Sequence, residues 1–184
     1  MLDFLRDKIY EAGVHEYGFI NPSDIEYRQE IRDICAGNAC RRYGTTWACP
    51  PAVGTIEECR DRCLQYDTML VFTGLFHLEN SYDFEGMQNG MAGFKKIALR
   101  LDTLLRPYLG KYQVLSNESC DTCTSCTYPD APCRFPEKLH HSVEGYGILV
   151  NDLAQKAGVK YYNGADTLTF FGAVLLNSSE LAKG

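Results

Sequence analysis

The sequence has no apolar run long enough to cross a bilayer, which excludes a membrane-spanning helix. Its opening, Met1-Leu2-Asp3-Phe4-Leu5-Arg6-Asp7-Lys8, mixes charges of both signs where a secretory signal needs an unbroken apolar core, so export is not expected. Basic residues are in deficit: 18 Lys and Arg face 24 Asp and Glu, a net charge of -6. That balance speaks against a nucleic-acid partner, whose phosphates want a basic surface, and against docking on an anionic membrane. No dinucleotide glycine fingerprint, Walker loop, zincin helix or nucleophile elbow occurs, so the chain offers no organic-cofactor motif. Repeats, low-complexity tracts and long linkers are missing as well. The 184 residues, 45% hydrophobic and 23% charged, suit one domain, 1–184, with a real core.

Cysteine is what the chain has in excess. There are nine, an odd number that leaves one over in any fully paired scheme. Without export the thiols meet a reducing cytoplasm, where structural disulfides are rare. Metal ligation is the better account. Seven of the nine fall in two glycine- and proline-rich loops, 35–54 and 116–139.

Around these loops the pattern alternates strands and helices. Asp3 to Ala12 reads as a helix stopped by Gly13, and Val14 to Ile20 as a short strand. Ile25 to Ile34 combines an extended piece with a helical turn that delivers Cys35. Thr55 caps a helix that carries Glu57 and Glu58 in its first turn and runs to about Tyr66. Thr68 to His77 is rich in β-branched and aromatic residues, the composition of a buried central strand. Met91, Phe94, Ile97, Ala98, Leu101, Leu104, Leu105 and Tyr108 repeat at helical spacing in the longest helix, closed by Gly110. A short strand at Tyr112 to Leu115, a helix from Ser142 to about Ala157 and a last strand at Thr167 to Leu176 complete the reading, with a loose tail. The expected architecture is α/β (mixed α+β): a central mixed sheet flanked by helices, with both cysteine loops meeting at one end of it.

In the second loop, Cys120-x2-Cys123-x2-Cys126 is followed after six residues by Cys133. Three thiolates at that spacing wrap a short turn around an iron–sulfur cube, each reaching a different iron. Asp121, Thr122, Thr124 and Ser125 are small or polar and suit backbone N–H bonds to cluster sulfurs. Pro129, Pro132 and Pro136 keep the loop out of regular structure. Bacterial-type cluster loops use a shorter last gap followed directly by proline, so this is a variant. The competing structure is a zinc ribbon, but zinc prefers cysteines in pairs with tetrahedral closure.

The first loop, Cys35-x4-Cys40-x8-Cys49-Pro50-Pro51, supplies three thiols, with Tyr43-Gly44 and Trp47 placed to shield a cluster. Three ligands leave one iron of a cube open, and open coordination is how metal sites become catalytic. A fourth ligand from elsewhere is the alternative. Cys59 and Cys63 lie four apart on one helix face, where core packing is the simpler account of buried cysteines. Exchange is a further option, in which Cys49 and Cys133 each serve the other loop's cluster.

Arg41-Arg42, Arg134 and Lys138 flank the cysteines, where they would stabilise an anionic cluster or bind an acidic substrate or partner, if they are not simply solvated. His140 and His141 are weak ligand candidates because neighbours in a helix face apart. Glu144 reads as an ordinary first-turn carboxylate.

These residues resemble the uncharacterised family of predicted metal-binding proteins, domain of unknown function 2284. The resemblance rests on Cys35, Cys40, Tyr43-Gly44, Trp47, Cys49-Pro50-Pro51, the Cys120, Cys123, Cys126 triple, Pro132-Cys133-Arg134-x-Pro136, and then Ser142, Glu144 and Gly147. It spans roughly residues 25–160. It implies metal binding, through iron–sulfur first, and no particular reaction; Cys59 and Cys63 lie outside its pattern.

Three functions follow. The leading one is a [4Fe-4S] protein, with one cluster or two, that transfers electrons to a redox partner protein. The second is an enzyme, an iron–sulfur oxidoreductase or cluster-based lyase, acting on a small-molecule substrate at the iron held by Cys35, Cys40 and Cys49. The third is a zinc-stabilised interaction module.

Overall fold

In the computed structural model, which describes residues 2–181, the chain runs α1 (Leu2–Glu11), β1 (Tyr17–Ile20), α2 (Gln29–Ala36), α3 (Ile56–Cys63), β2 (Thr68–His77), α4 (Phe84–Leu105), β3 (Gln113–Ser116), β4 (His141–Ser142), α5 (Val150–Ala157), β5 (Thr167–Leu176) and α6 (Ser178–Leu181). The strands form one mixed sheet in the order β1-β2-β5-β3-β4. All neighbours are antiparallel except β3 and β4, which run parallel through Leu115–His141 and Ser116–Ser142.

The sheet has an apolar layer on each face, which is why β2 and β5 read as nearly continuous hydrophobic runs. Side chains alternate across a pleated strand. Met69 and Val71 of β2 therefore join Phe171, Ala173 and Leu175 of β5 on one face, beneath Cys59 and Cys63 of α3 and Leu153 and Ala154 of α5. Leu70, Phe72, Val174 and Leu176 point the other way, onto Leu5 and Ile9 of α1 and Phe94, Ala98, Leu101 and Leu105 of α4. The result is a mixed α+β fold of three layers, as the alternation of elements implied.

Local chemistry explains most boundaries. Thr55 accepts from the Glu58 backbone N–H at 3.2 Å while the Glu58 carboxylate accepts from the Thr55 N–H at 2.8 Å, a complete capping box that starts α3. Asp83 caps α4 through Oδ1, which accepts from the Gly86 N–H at 2.7 Å, so this helix begins earlier than its periodic stripe suggested. It also ends at Leu105, short of Gly110.

Strand β2 is buried and interior as its composition implied, flanked by β1 and β5. Two expectations need correcting. The first strand begins at Tyr17 instead of Val14. The helix expected from Ser142 breaks into β4, a single 3-10 turn at Glu144–Tyr146, and α5. The cause is Gly147, whose φ of 74° belongs to the left-handed region that a Cβ disfavours. Its carbonyl accepts from the Arg28 N–H at 2.7 Å, and a Cβ there would stand 2.9 Å from the Arg28 carbonyl oxygen. Beyond β5 the tail begins with α6; residues 182–184 of the expected loose tail lie outside the described residues.

Candidate metal centre

Strand β4 is the platform on which the two cysteine loops meet. Its Ser142 N–H donates to Ala48 O of the first loop at 3.0 Å, and the adjacent Val143 N–H donates to Ser116 O, where β3 feeds the second loop, at 3.0 Å. Trp47 completes the junction from the first loop. Its indole N–H donates to Ala131 O at 3.1 Å, and its ring stands edge-on to Tyr128 with centroids 4.9 Å apart. The loops thus come together at the β3–β4 edge of the sheet.

In the second loop, Cys120, Cys123, Cys126 and Cys133 line one narrow cavity, together with Trp47, Arg134, Phe135 and Leu139. All four are half-buried. Arg134 donates to Ser125 O at 2.8 Å and Thr127 Oγ1 to Pro132 O at 2.8 Å, so the loop's two arms are tied across the cavity. Beside Cys120, Asn117 buries a side-chain N–H that has no partner. A buried donor without an acceptor is costly, and an anionic sulfur nearby would satisfy it.

The first loop builds a larger cavity, of about 270 Å³, where about 10–15 Å³ would hold one water. Cys35, Cys40 and Cys49 line it with Tyr43, Glu118, Ser119, Ser142 and Glu144. Arg32, one turn before Cys35 on the same face of α2, clamps this region by donating to Gly145 O at 2.8 Å and Gly54 O at 2.7 Å. Burial pushes the Cys35 thiol up, and the Glu144 carboxylate and Cys40 add to it. Burial likewise pushes Cys49 up to about 11, against hydrogen bonds from Thr46 and Ser142 that favour the thiolate, with Cys40 and Cys35 raising it further. Cys35 therefore feels the charge of Glu144 and Cys40, and Cys49 that of Cys40 and Cys35.

A family model described as a predicted metal-binding protein, domain of unknown function 2284, matches residues 18–176. The chain belongs to this family. No curated protein and no solved structure matches the chain.

The candidate donors divide cleanly between the two cavities. Cys133 stays with the second loop and Cys49 with the first, and the two linings share no residue. Among the described residues no three Cys, His, Asp or Glu side chains are drawn together closely enough to hold a single metal ion; the thiols stand around cavities instead of on a point. The donor chemistry nonetheless fits a thiolate-bound metal, since all nine cysteines are free and seven of them line the two cavities. Cys59 and Cys63 lie elsewhere, 0% exposed in the core between α3 and the sheet.

Glu144 is what the sequence hid. Its Oε2 is sealed from solvent without a hydrogen-bond partner, and burial, opposed by backbone hydrogen bonds from Glu144 and Glu118 to the carboxylate and reinforced by the charge of Glu118, holds its pKa above the ordinary carboxylate range. A first-turn carboxylate looks unremarkable in a sequence; only its place in the family's Ser142, Glu144, Gly147 pattern marked it. The flanking cations are occupied differently. Arg134 ties the second loop, Lys138 stands 5.5 Å over the Phe135 ring, and Arg41 and Arg42 are exposed.

The two histidines face apart, but from β4 and its approach, not from a helix. His140 Nε2 lies 3.1 Å from Asp102 Oδ2 on α4, while His141 Nδ1 lies 2.8 Å from Tyr146 Oη and 3.2 Å from Gln113 Nε2. Burial lowers His141 to about 4, helped by the charges of Arg62 and His140. The unfolded chain's imidazole takes its proton near 6.5, so protonation favours unfolding throughout the interval between those values. Stability should therefore fall by about 3 kcal/mol as pH drops from 6.5 toward 4. Urea midpoints across this window should show a steeper decline for the natural chain than for His141→Gln; identical slopes would remove His141 as the cause.

Proposed function

We propose that the protein is an iron–sulfur protein that carries [4Fe-4S] clusters at its two cysteine loops and transfers electrons in a reducing cytoplasm. The observation that carries this reading is the set of four thiols, Cys120, Cys123, Cys126 and Cys133, around a single cavity. Their x2, x2 spacing suits the separated corners of a cube better than the paired ligands of zinc. When bound, such a cluster supplies one-electron transfer. The chain's own part is to hold it: Trp47 and Phe135 shield the second cavity, and Arg134 ties its loop. Nine free cysteines agree with a reducing compartment, and no helix among the described residues is long and apolar enough to cross a membrane.

A second reading, an enzyme acting at the first site, is favoured by the 270 Å³ cavity beside Cys35, Cys40 and Cys49. It supplies room for a small substrate next to three thiols that leave one corner of a cube without sulfur. Anaerobic purification with iron and sulfide analysis tests the common premise. About eight irons and as many sulfides per chain, with an EPR signal on reduction, are expected for two cubes. Stoichiometric zinc without sulfide would leave the zinc-stabilised module as the answer.

A further inference from the structure

We propose that the carboxylate of Glu144 is the fourth donor of the first site, closing through oxygen the metal centre that Cys35, Cys40 and Cys49 hold through sulfur. This rests on the reading of the first loop as a metal site.

The lining of the first cavity carries three thiols and two carboxylates and not one Lys, Arg or His side chain. Five acidic groups facing one space have no cation among them to balance any charge they acquire. Outside the lining, Arg32 donates to Gly145 O and Gly54 O, and its charge offsets only part of the upward shift of Cys35. Glu144 adds the independent sign. A buried carboxylate oxygen without a donor is rare and costly, because desolvation of an acceptor is normally offset by a hydrogen bond. A metal ion is the partner this oxygen and the three thiols have in common.

Backbone geometry holds Glu144 in place. The turn Glu144–Tyr146 is closed by Gly147, its N–H donating to Glu144 O at 2.9 Å. Ser142 Oγ accepts from the Gly145 N–H at 3.0 Å and stands 4.0 Å from Cys49 Sγ. Cys35 Sγ lies 4.0 Å from the Glu144 carbonyl oxygen. One short segment therefore sets the Glu144 backbone beside Cys35 and Ser142 beside Cys49, and Glu144 lines the same cavity as all three thiols.

The donor set has a chemical consequence. Thiolates are the soft ligands that iron–sulfur centres select, whereas carboxylates suit harder ions. Glu144 would hold the corner without sulfur through oxygen, and its carboxylate would be the ligand that a small molecule entering the 270 Å³ cavity exchanges with most easily.

The test uses the full chain, loaded and purified anaerobically, with iron counts and EPR as readouts. Glu144→Gln keeps the shape but removes the anionic donor. It should lose about one iron per chain and convert the first site's signal to that of a three-iron cluster, leaving the second site's signal intact. Glu144→Cys should restore the iron count with an altered EPR signal, because sulfur replaces oxygen at that corner. If Glu144→Gln matches the natural protein in both readouts while Cys35→Ala loses about four irons, Glu144 is not a ligand and the metal site stands. If Cys35→Ala changes neither iron nor signal, the first site holds no cluster and both readings fall. Should Glu144→Gln not fold, Glu144→Cys decides alone: an unaltered EPR signal overturns the assignment.

Discussion

On the proposed two-cluster reading, Cys120→Ala should remove about half of the iron bound by the natural protein, and Cys35→Ala about the other half. The expectation follows from the separation of the two cavities: four thiols line one, three line the other, and no residue belongs to both linings. Each substitution would take a thiol from one candidate cluster site and leave the thiols of the other untouched. Cys120 and Cys35 are both half-buried, so truncation to alanine costs little packing and the fold should survive. The second loop is the more exacting case. Its four thiols have no oxygen donor among the lining residues except Thr122 and Thr127, so nothing replaces a missing sulfur. Iron should drop by about four per chain in each variant, from about eight. The reduced EPR spectrum should lose one component in Cys120→Ala and a different one in Cys35→Ala. Complete loss of iron from either change would show a shared or mutually dependent centre. The contact of Trp47 with Ala131 and Tyr128 is the structural route by which such dependence would arise.

How much of this was readable in advance depended on the range of the interaction. The strands Thr68–His77 and Thr167–Leu176 match their expected bounds, because apolar layers on both faces produce an unbroken hydrophobic run that polar residues delimit. The capping box at Thr55 and Glu58 is equally local. The grouping of seven cysteines around two cavities was legible for the same reason, since spacing within one loop is a property of contiguous residues. Strand order was not, because nothing in β5 announces that it will lie between β2 and β3. The break in the expected Ser142 helix depends on Arg28, more than a hundred residues earlier, pairing with Gly147. Glu144 combines both difficulties: its residue type is ordinary for a first turn, and only the packing of α2, the first loop and β4 seals its oxygen. The cavity it lines is assembled from segments 34–50, 118–119 and 142–144, which no local pattern joins.

Asp102→Ala should destabilise the protein by about 3 kcal/mol, with the effect centred on the second cysteine loop. Asp102 projects from α4 with its side chain only 3% exposed, and it accepts from Tyr112 Oη at 2.5 Å, Arg106 Nη2 at 2.9 Å and His140 Nε2 at 3.1 Å. Burial alone would raise its pKa, but the hydrogen bonds from His140, Tyr112 and Arg106 outweigh that and hold it below the usual carboxylate value. The Arg106 arm contributes least, because that side chain is 44% exposed and water screens it. The larger cost is that truncation strands the His140 nitrogen, whose side chain is 12% exposed, and removes the Tyr112 hydroxyl's acceptor. Both consequences bear on the metal site. His140 is the last residue before β4, and Arg106 also donates to Glu137 O at 2.9 Å, so one carboxylate organises the exit of the loop that carries Cys133. Asp102→Asn keeps an acceptor and the shape but loses the charge, and should cost less than alanine. Hydrogen exchange should report faster opening of residues 132–140 in Asp102→Ala, with α1 and β1 unaffected. Because the folded carboxyl titrates below its unfolded value, the contribution is present above that value and is lost as pH falls through the folded one. The gap between Asp102→Ala and the natural chain should therefore narrow in strong acid. A gap that stays constant down to acid pH, or uniform acceleration of exchange across the sheet, would show that Asp102 supports the core in general and not the loop in particular.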